Sequence, residues 1–358
     1  SPRRKHRGAS GPSLLRPVLV GVFITTIAFV INFVLSHPEK EERGRLRRSH
    51  VPRNCSVVED VTVLVAQRGV RAMQLEIRDF DFQDPLTRQN LTRRGICALQ
   101  RIRKGDTLLS APRSLVVDVN MAIDHLSPAL IRQENQRAAI ASSPLIPLEP
   151  WELLALHILH ERNNPPSELD PWICSLPVTG SSALVWPDHR LSSMDREFRR
   201  FAGWVKAKRQ AVAESHKRIF PALFRLFPDR FQPHNCSPQD WMWAVAMQGE
   251  RGISLRDSRG RLGLVAAPFL DLINHESGSA EIRPVGAGDF EVVALRGYEP
   301  GDEVFIDYGM KCNAELLLDY GFVEANNDLG CGGGVRDHLP PLPGETDSND
   351  DDEDGSSV

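Results

Sequence analysis

An uncharged apolar run of nineteen residues, PVLVGVFITTIAFVINFVL, covers positions 17–35 near the start of the chain. At 1.5 Å per residue, a helix of this length spans about 28 Å, which is close to the roughly 30 Å hydrocarbon core of a bilayer. The run therefore predicts one transmembrane helix. The alternative is a cleaved secretory signal peptide, which we disfavour because Ser36-His37-Pro38 follows the run without a small-residue cleavage pattern.

Two later regions alternate short apolar runs with turn residues, which is typical of β-strands. In the first region, residues 91–118, Lys104-Gly105-Asp106 separates two such runs. In the second region, residues 262–308, Gly286–Asp289 and Glu299–Asp302 have the composition of tight turns. We therefore expect short antiparallel strands in both regions.

Between these regions, from about residue 120 to residue 250, the apolar positions recur at helical spacing. Three apolar helical stretches begin near Trp151, Phe198 and Trp241, and a further short helix is predicted at Asn313–Tyr320. The expected fold class is therefore α+β, mainly β with a helical insertion.

These patterns divide the chain into seven expected segments. They are a basic N-terminal segment (1–16), the transmembrane helix (17–35), a juxtamembrane linker and lead-in (36–84), an N-terminal β part (85–125), a helical insert (126–255), a C-terminal β part (256–327) and an acidic tail (328–358). The tail is rich in glycine, proline and acidic residues, and we expect it to be disordered because it cannot build a core.

The net charge of -4 is distributed unevenly along the 358 residues. Residues 1–53 carry eleven bases and three acids (+8), residues 345–358 carry seven acids (-7), and the remainder carries 32 bases and 37 acids (-5). Because the central part is mildly acidic, we expect no nucleic-acid partner. Bases flank both ends of residues 17–35, so the positive-inside rule does not orient the predicted helix.

The six cysteines are scattered without a C-x-x-C motif, so they indicate neither a zinc site nor a dense disulfide framework, and buried free thiols are expected. Three N-x-S/T triplets, at Asn54, Asn90 and Asn235, are compatible with a lumenal body, but such triplets are common by chance. His157 and His160 do not form an H-E-x-x-H motif, so no metal is expected.

The residues with candidate chemistry lie near the end of the chain. All three tyrosines, Tyr298, Tyr308 and Tyr320, fall within 23 residues, whereas core filling would scatter them. Just upstream, an apolar strand ends at Asn274-His275, whose side chains can bond either backbone or a ligand. On their own, these two residues would be interpreted as ordinary turn residues.

Several longer strings resemble one known family when they are taken together and in order. They are RRGICALQRIRKGDTLLSAPRSLVV, WELLALHILHERNNPPSELDPWICSLP, WMWAVAMQGERGISL, DLINHES, EPGDEVFIDYG and CNAELLLDYGFVE. This series resembles the SET domain of the Rubisco large-subunit lysine methyltransferase family, over residues from about 85 to 327. The resemblance implies small β-sheets around a knot-like crossing, with S-adenosylmethionine and the target side chain entering from opposite faces.

The resemblance also implies roles for individual residues. Matched by position, the residues expected to contact the cofactor are Thr92, Arg93, Arg94, Arg251, Asp271, Asn274 and His275. The residues expected to act in methyl transfer are Tyr308 and Tyr320. A tyrosine with an ordinary pKa near 10 is a poor general base at pH 7, so we expect Tyr308 to position the acceptor amine rather than to deprotonate it.

Two departures from the family pattern limit what the resemblance implies. The first cofactor loop usually reads acidic-Gly-x-Gly, whereas Thr92-Arg93-Arg94-Gly95 keeps only the last glycine. The family's helical substrate domain has no match after Asn327, so the family's substrate is not carried over.

The function expected from the sequence is transfer of a methyl group from S-adenosylmethionine to a lysine of a protein substrate, by an enzyme anchored in the membrane through residues 17–35. One alternative is a histidine acceptor, and another is a catalytically weak scaffold that binds peptide or cofactor. A single-pass protein with a cytosolic body is favoured because the cofactor is made in the cytosol.

Overall fold

A computed structural model describes residues 57–72, 75–83, 90–119, 121–122, 126, 148–194, 199–256, 262–286, 289–325, 327 and 329. The predicted transmembrane helix at 17–35 lies outside these residues, as do residues 330–358 of the predicted tail. Within the described part of the chain, no helix is both long and apolar enough to span a bilayer.

Contacts divide the chain into two units. Of the described residues, the smaller unit contains 79–83 and 90–93, and within it the Thr92 hydroxyl donates to Asp81 Oδ1 at 2.6 Å. The larger unit contains the other described residues, including every buried residue of the two hydrophobic cores.

The helices lie mainly between residues 150 and 251, where helical periodicity is found in the sequence. The described helices are α1 (Val57–Gln67), α2 (Pro150–Asn163), α3 (Asp170–Ser175), α4 (Asp188–Met194), α5 (Arg199–Leu226), α6 (Pro238–Arg251) and α7 (Asn313–Asp319). Helix α6 shows why these segments begin where they do: Ser237 exchanges capping hydrogen bonds with Asp240, and a proline occupies the first turn. The short helix predicted at Asn313–Tyr320 is confirmed as α7.

The strands form three small sheets. They are β1 (Arg71–Ala72), β2 (Leu75–Gln83), β3 (Asn90–Ala98), β4 (Thr107–Ala111), β5 (Val117–Asp118), β6 (Gly252–Arg256), β7 (Leu262–Ala266), β8 (Asn274–His275), β9 (Ala280–Val285), β10 (Asp289–Ala294) and β11 (Glu303–Ile306). The sheet orders are β1-β4-β10-β9, β2-β3-β11-β8 and β5-β7-β6. The expected α+β mixture of short strands with a helical insertion is therefore confirmed, whereas the expectation of a mainly β fold is wrong, because the described helices contain more residues than the described strands.

Two hydrophobic cores support these elements. The helical core contains Trp172, Phe220 and Trp241, all fully buried, and the Phe220 and Trp241 rings pack edge to face at 5.3 Å. The strand core includes Ile96 and Ile306, which are also buried. Each large side chain buried in this way contributes about 1.5–3 kcal/mol relative to exposure, so both cores hold the connecting segments firmly.

One ladder brings distant parts of the sequence together. Strand β8 pairs with β11 in parallel, with Asn274 opposite Phe305 and His275 opposite Ile306. Strand β11 also pairs with β3 in antiparallel orientation at Cys97 and Ile96. Three segments separated by up to about two hundred residues therefore meet along β11.

The cysteines differ from the expectation of free thiols at two positions. Cys97 and Cys236 are buried and free, whereas Cys174 and Cys312 are disulfide-bonded. The sequence does not indicate this difference because pairing depends on which cysteines folding brings together.

Candidate active site

Tyr308 is fixed at both ends to the segment that carries β8. Its backbone N–H donates to Nδ1 of His275 at 3.1 Å, and its hydroxyl donates to the carbonyl oxygen of Ile273 at 2.9 Å. The rings of Tyr308 and His275 stack with centroids 4.9 Å apart. Two residues that stand out in the sequence on separate grounds are therefore in direct contact.

Tyr308 and His275 belong to a cluster of four rings. Tyr320 lies 5.0 Å from Tyr308, and Phe322 lies 6.1 Å from Tyr320 and 5.8 Å from His275, all measured between ring centroids. Phe322 was not selected from the sequence, although its place two residues after Tyr320 could have indicated it. This arrangement offers aromatic faces to a cationic or alkyl group.

Tyr298 does not belong to this cluster. It is buried in the strand core, where its backbone bridges to Ile102 and its hydroxyl lies 3.4 Å from both backbone polar atoms of Phe305. The grouping of three tyrosines therefore combines two cluster residues with one core residue.

Burial raises the pKa of both Tyr308 and Tyr320 above the ordinary value of 10. Desolvation is the main cause in each case, and for Tyr308 the positive charge of Arg251 opposes it only in part. Both phenols therefore stay protonated near neutral pH, so they can donate hydrogen bonds and orient a partner but cannot act as bases.

Asn274 holds three strands together at the edge of this cluster. Its Nδ2 donates to the backbone oxygen of Arg94 at 2.8 Å and to Glu303 Oε1 at 2.7 Å. Gly95 permits this approach, because a Cβ there would lie 2.5 Å from Glu303 Oε1 and 3.0 Å from Asn274 Nδ2. Among the described residues, Asn274 Oδ1 has no hydrogen-bond partner, so this acceptor is available to a ligand.

Arg251 and Asp271 link the helical insert to the same segment. Arg251 ends α6, and its NH1 donates to the Asp271 carbonyl oxygen at 2.9 Å. The Asp271 carboxylate is buried and accepts from Trp172 Nε1 at 2.8 Å. Burial raises the pKa of Asp271, although the nearby Arg251 charge and the Trp172 bond lower it.

Two buried polar atoms next to this link have no partner among the described residues, namely Arg251 Nε and Asp271 Oδ1. Phe269, just upstream, has a φ of +74°, a backbone conformation that non-glycine residues rarely adopt. Unsatisfied atoms and backbone strain of this kind concentrate at functional sites.

The remaining residues predicted to contact the cofactor are Thr92, Arg93 and Arg94. Arg94 contributes its backbone oxygen to Asn274. Thr92 and Arg93 belong to the smaller unit, so their predicted contact with the cofactor stays a prediction. In the described part of the chain, no group of three or more His, Cys, Asp or Glu side chains is arranged to hold a metal ion.

Two acidic residues near the cluster were missed in the sequence. Glu324 accepts from the Ser277 N–H at 2.9 Å and from its hydroxyl at 2.8 Å, and its Oε2 lies 3.5 Å from Nε2 of His275. Glu250 accepts from the backbone N–H groups of Ser181 and Ser182 at 2.7 and 2.9 Å. Single acidic residues without a spacing pattern give no signal in one sequence.

Comparisons with known proteins show which family this chain resembles. The model of the SET domain family matches residues 93–309. The Rubisco large subunit N-methyltransferase of Pisum sativum is 27% identical over 252 residues, which cover 65% of this chain and 46% of that protein. The actin-histidine N-methyltransferase of Dasypus novemcinctus is 27% identical over 243 residues, covering 65% of this chain and 38% of that protein.

A third relative is the fructose-bisphosphate aldolase-lysine N-methyltransferase of Arabidopsis thaliana, 29% identical over 192 residues, which cover 50% of this chain and 38% of that protein. Among solved structures, Rubisco LSMT bound to AdoMet aligns with a TM-score of 0.56 at 22% identity, covering 76% of this chain and 57% of that one. The matched region spans less than half the length of these curated relatives.

Proposed function

The chain belongs to the SET domain family, and from that premise we propose that it transfers a methyl group from S-adenosylmethionine to a lysine side chain of a protein substrate. The observation that carries this proposal is the double fixation of Tyr308, by His275 Nδ1 and the Ile273 carbonyl, inside a cluster of aromatic rings.

The residues next to this cluster fit S-adenosylmethionine. The Oδ1 of Asn274 can accept from its ammonium group, and the guanidinium of Arg251, whose Nε has no partner among the described residues, can donate to its carboxylate. The aromatic faces of Tyr308, Tyr320 and Phe322 suit a sulfonium cation. When bound, this cofactor supplies an electrophilic methyl group.

The residues of the chain would then align and shield the acceptor. A lysine amine attacks only when it is neutral, and burial among apolar rings lowers its pKa from the ordinary value of about 10.4. The protonated hydroxyls of Tyr308 and Tyr320 can hold the amine in line with the methyl group without removing its proton. The rings of the cluster, which are half-buried, can exclude water from the acceptor once a substrate covers them.

A histidine acceptor is the second candidate. The actin-histidine methyltransferase is as similar to this chain as the pea Rubisco enzyme is, at 27% identity each. The lysine proposal rests on the Rubisco and aldolase enzymes, whose names specify N-methylation of the large subunit and of lysine respectively. A scaffold that binds cofactor without catalysis is a third candidate. The sequence feature that favours it is the altered loop at Thr92–Gly95.

Two successive measurements test the proposed function. Calorimetry with S-adenosylmethionine should show binding at micromolar to millimolar concentration, and an absence of binding at millimolar concentration would reject the enzyme. Transfer of isotope-labelled methyl groups to a cell lysate, followed by mass spectrometry of the labelled peptides, should then locate the label on lysine. Label on histidine would favour the second candidate, and binding without transfer would favour the scaffold.

We also propose that residues 17–35 anchor the protein in a membrane by one pass. Resistance of the full chain to alkaline extraction from membranes, lost on deletion of residues 17–35, would support this anchor. Synthesis of the cofactor in the cytosol favours a cytosolic body, whereas the disulfide-bonded Cys174 and Cys312 favour the opposite side.

A further inference from the structure

The oxidation state of the cysteines indicates the compartment in which the larger unit folds. Cys174 and Cys312 are disulfide-bonded. Disulfides persist in secreted and lumenal proteins and are rare in the cytosol, where thiol reductants keep cysteines reduced. The bonded state of these two cysteines therefore points to an oxidising compartment.

The two free thiols are compatible with such a compartment. Cys97 is fully buried, and Cys236 is buried in the helical core. Burial raises the pKa of Cys236 to about 11, so the reactive thiolate is scarce at neutral pH. Both thiols are therefore protected from exchange by the fold itself, and they can stay reduced while Cys174 and Cys312 are oxidised.

The N-x-S/T triplets provide an independent observation. Asn90 is exposed at the start of β3, followed by Leu91 and Thr92. Asn235, in contrast, is half-buried: its Oδ1 accepts from the Gln232 N–H, and its carbonyl oxygen accepts from Asn163. A bulky glycan requires open solvent around the asparagine, so of the two described triplets only the one at Asn90 offers an accessible acceptor.

We infer that Asn90 carries an N-linked glycan and that the catalytic body lies on the lumenal side of the membrane, where its methyl acceptor is a lumenal protein. The assignment of the acceptor rests on the proposed function, whereas the glycan does not. Bases on both sides of residues 17–35 permit this orientation. The cofactor then has to be carried across the membrane.

The glycan is attached by a balanced transfer from a lipid-linked oligosaccharide. The amide nitrogen of Asn90 forms a bond to C1 of the first sugar, while the bond from C1 to the lipid pyrophosphate breaks. The pyrophosphate leaves with the bonding electron pair, and the amide loses one proton. No oxidant or reductant takes part in this step.

The first test uses the full chain expressed in a eukaryotic cell line and treated with a peptide N-glycosidase under denaturing conditions. All proteins in this test carry Asn54→Gln, which removes the third triplet. In that background the parent and Asn235→Gln should both shift to higher mobility, whereas Asn90→Gln should run at the deglycosylated position without treatment. Absence of a shift in the parent would overturn the inference, and a shift that survives in Asn90→Gln would overturn the assignment to Asn90. Because the glycan is read on denatured protein, a folding defect does not affect the result.

The second test measures the thiols directly. After denaturation without reductant, an alkylating reagent should label Cys97 and Cys236 and should label Cys174 and Cys312 only once a reductant is added. Labelling of Cys174 and Cys312 before reduction would contradict an oxidising compartment. Neither test depends on methyl transfer, so failure of this inference and failure of the proposed function remain distinguishable.

Discussion

Nδ1 of His275 is in contact with the backbone of the Tyr308 segment on two sides. The Tyr308 N–H donates to it at 3.1 Å, and the Ile306 carbonyl oxygen lies 3.3 Å from it. Nε2 faces Glu324 Oε2 at 3.5 Å, and the backbone of Glu324 is itself tied to Asn313. The segment after α7 therefore orients the imidazole from the side opposite to Tyr308.

Replacement of Glu324 by alanine should change the orientation of the His275 imidazole while leaving the residue in place. Glu324→Ala removes the carboxylate that lies 3.5 Å from Nε2 and that accepts two hydrogen bonds from Ser277. Because loss of hydrogen bonds to a charged group costs roughly 1.5–3 kcal/mol, we expect kcat/KM for methyl transfer to fall about tenfold to a hundredfold. The ring ¹⁵N shifts of His275 should move away from their wild-type values. Glu276→Gln, at an exposed pair with Arg296, is the control and should change neither value. Unchanged nitrogen shifts in Glu324→Ala would contradict this role.

Removal of the Tyr308 hydroxyl should reduce catalysis far more than removal of the Tyr298 hydroxyl. Tyr308→Phe frees the Ile273 carbonyl and deletes the hydroxyl oxygen that we assign as acceptor of an N–H from the substrate amine, and kcat should fall by about a hundredfold or more. Tyr298→Phe loses a hydroxyl in the strand core, outside the ring cluster, and kcat should stay within a few fold. Equal rates in the two variants, measured with a saturating cofactor concentration, would refute the positioning role.

Gly321 is predicted to be irreplaceable. Its φ is +83°, and a Cβ there would lie 2.1 Å from the backbone oxygen of Ser181. Gly321→Ala should therefore lower the free energy of unfolding by more than about 2 kcal/mol, since both strain and overpacking contribute. Gly278→Ala has a similar φ of +70° with no atom within 4 Å, and it should cost only about 1 kcal/mol. Denaturant titration of both variants measures the difference. Equal losses of unfolding free energy would show that the Ser181 backbone moves to accommodate the added Cβ and would contradict the prediction.

Glu250 makes stability depend on pH in a defined direction. Burial raises the pKa of Glu250 to about 7, from 4.5 when unfolded. Between these values the folded carboxyl holds a proton that the unfolded one has lost, so rising pH lowers the free energy of unfolding. Glu250→Gln lacks this effect. From pH 4.5 to pH 8, its stability relative to wild type should increase by on the order of 2 kcal/mol. A constant difference between the two thermal denaturation series across this range would contradict the prediction.

Trp172 and Asp271 should be coupled in their contributions to the free energy of unfolding. Trp172→Phe removes the donor to Asp271 Oδ2 and leaves the carboxyl without its indole partner, which should cost about 1–3 kcal/mol. The double variant with Asp271→Asn should be less destabilised than the sum of the single variants by at least about 0.5 kcal/mol. Chemical denaturation of the four proteins in this cycle measures the coupling, and strict additivity would rule it out.

Local patterns predicted much of the fold. The turn at Glu299–Asp302 lies just before β11, and the predicted turn at Gly286–Asp289 lies between β9 and β10. These features depend on residues close together in sequence, such as glycine and proline beside alternating apolar positions. The expected Asn-His and tyrosine neighbours also meet, although that expectation came from the family resemblance.

Features that depend on distant contacts could not be read from one sequence. The parallel pairing of β8 with β11, the Trp172–Asp271 bond and the approach of Glu324 to His275 join residues that are 31, 99 and 49 positions apart. Tyr298 was grouped with the other tyrosines because proximity along the chain does not determine which way a side chain faces. The disulfide-bonded cysteines were missed for the same reason.

The two-residue ladder between β8 and β11 limits how this domain can change over evolution. Side chains alternate between faces along a strand, so a slip of one position would exchange the two faces, turning His275 away from Tyr308 and Asn274 away from Glu303 together. An insertion between β9 and β10 would leave the antiparallel register of these two strands unchanged. Any insertion within β8 or β11 themselves would misalign both halves of the site at once, so neither half can drift without the other.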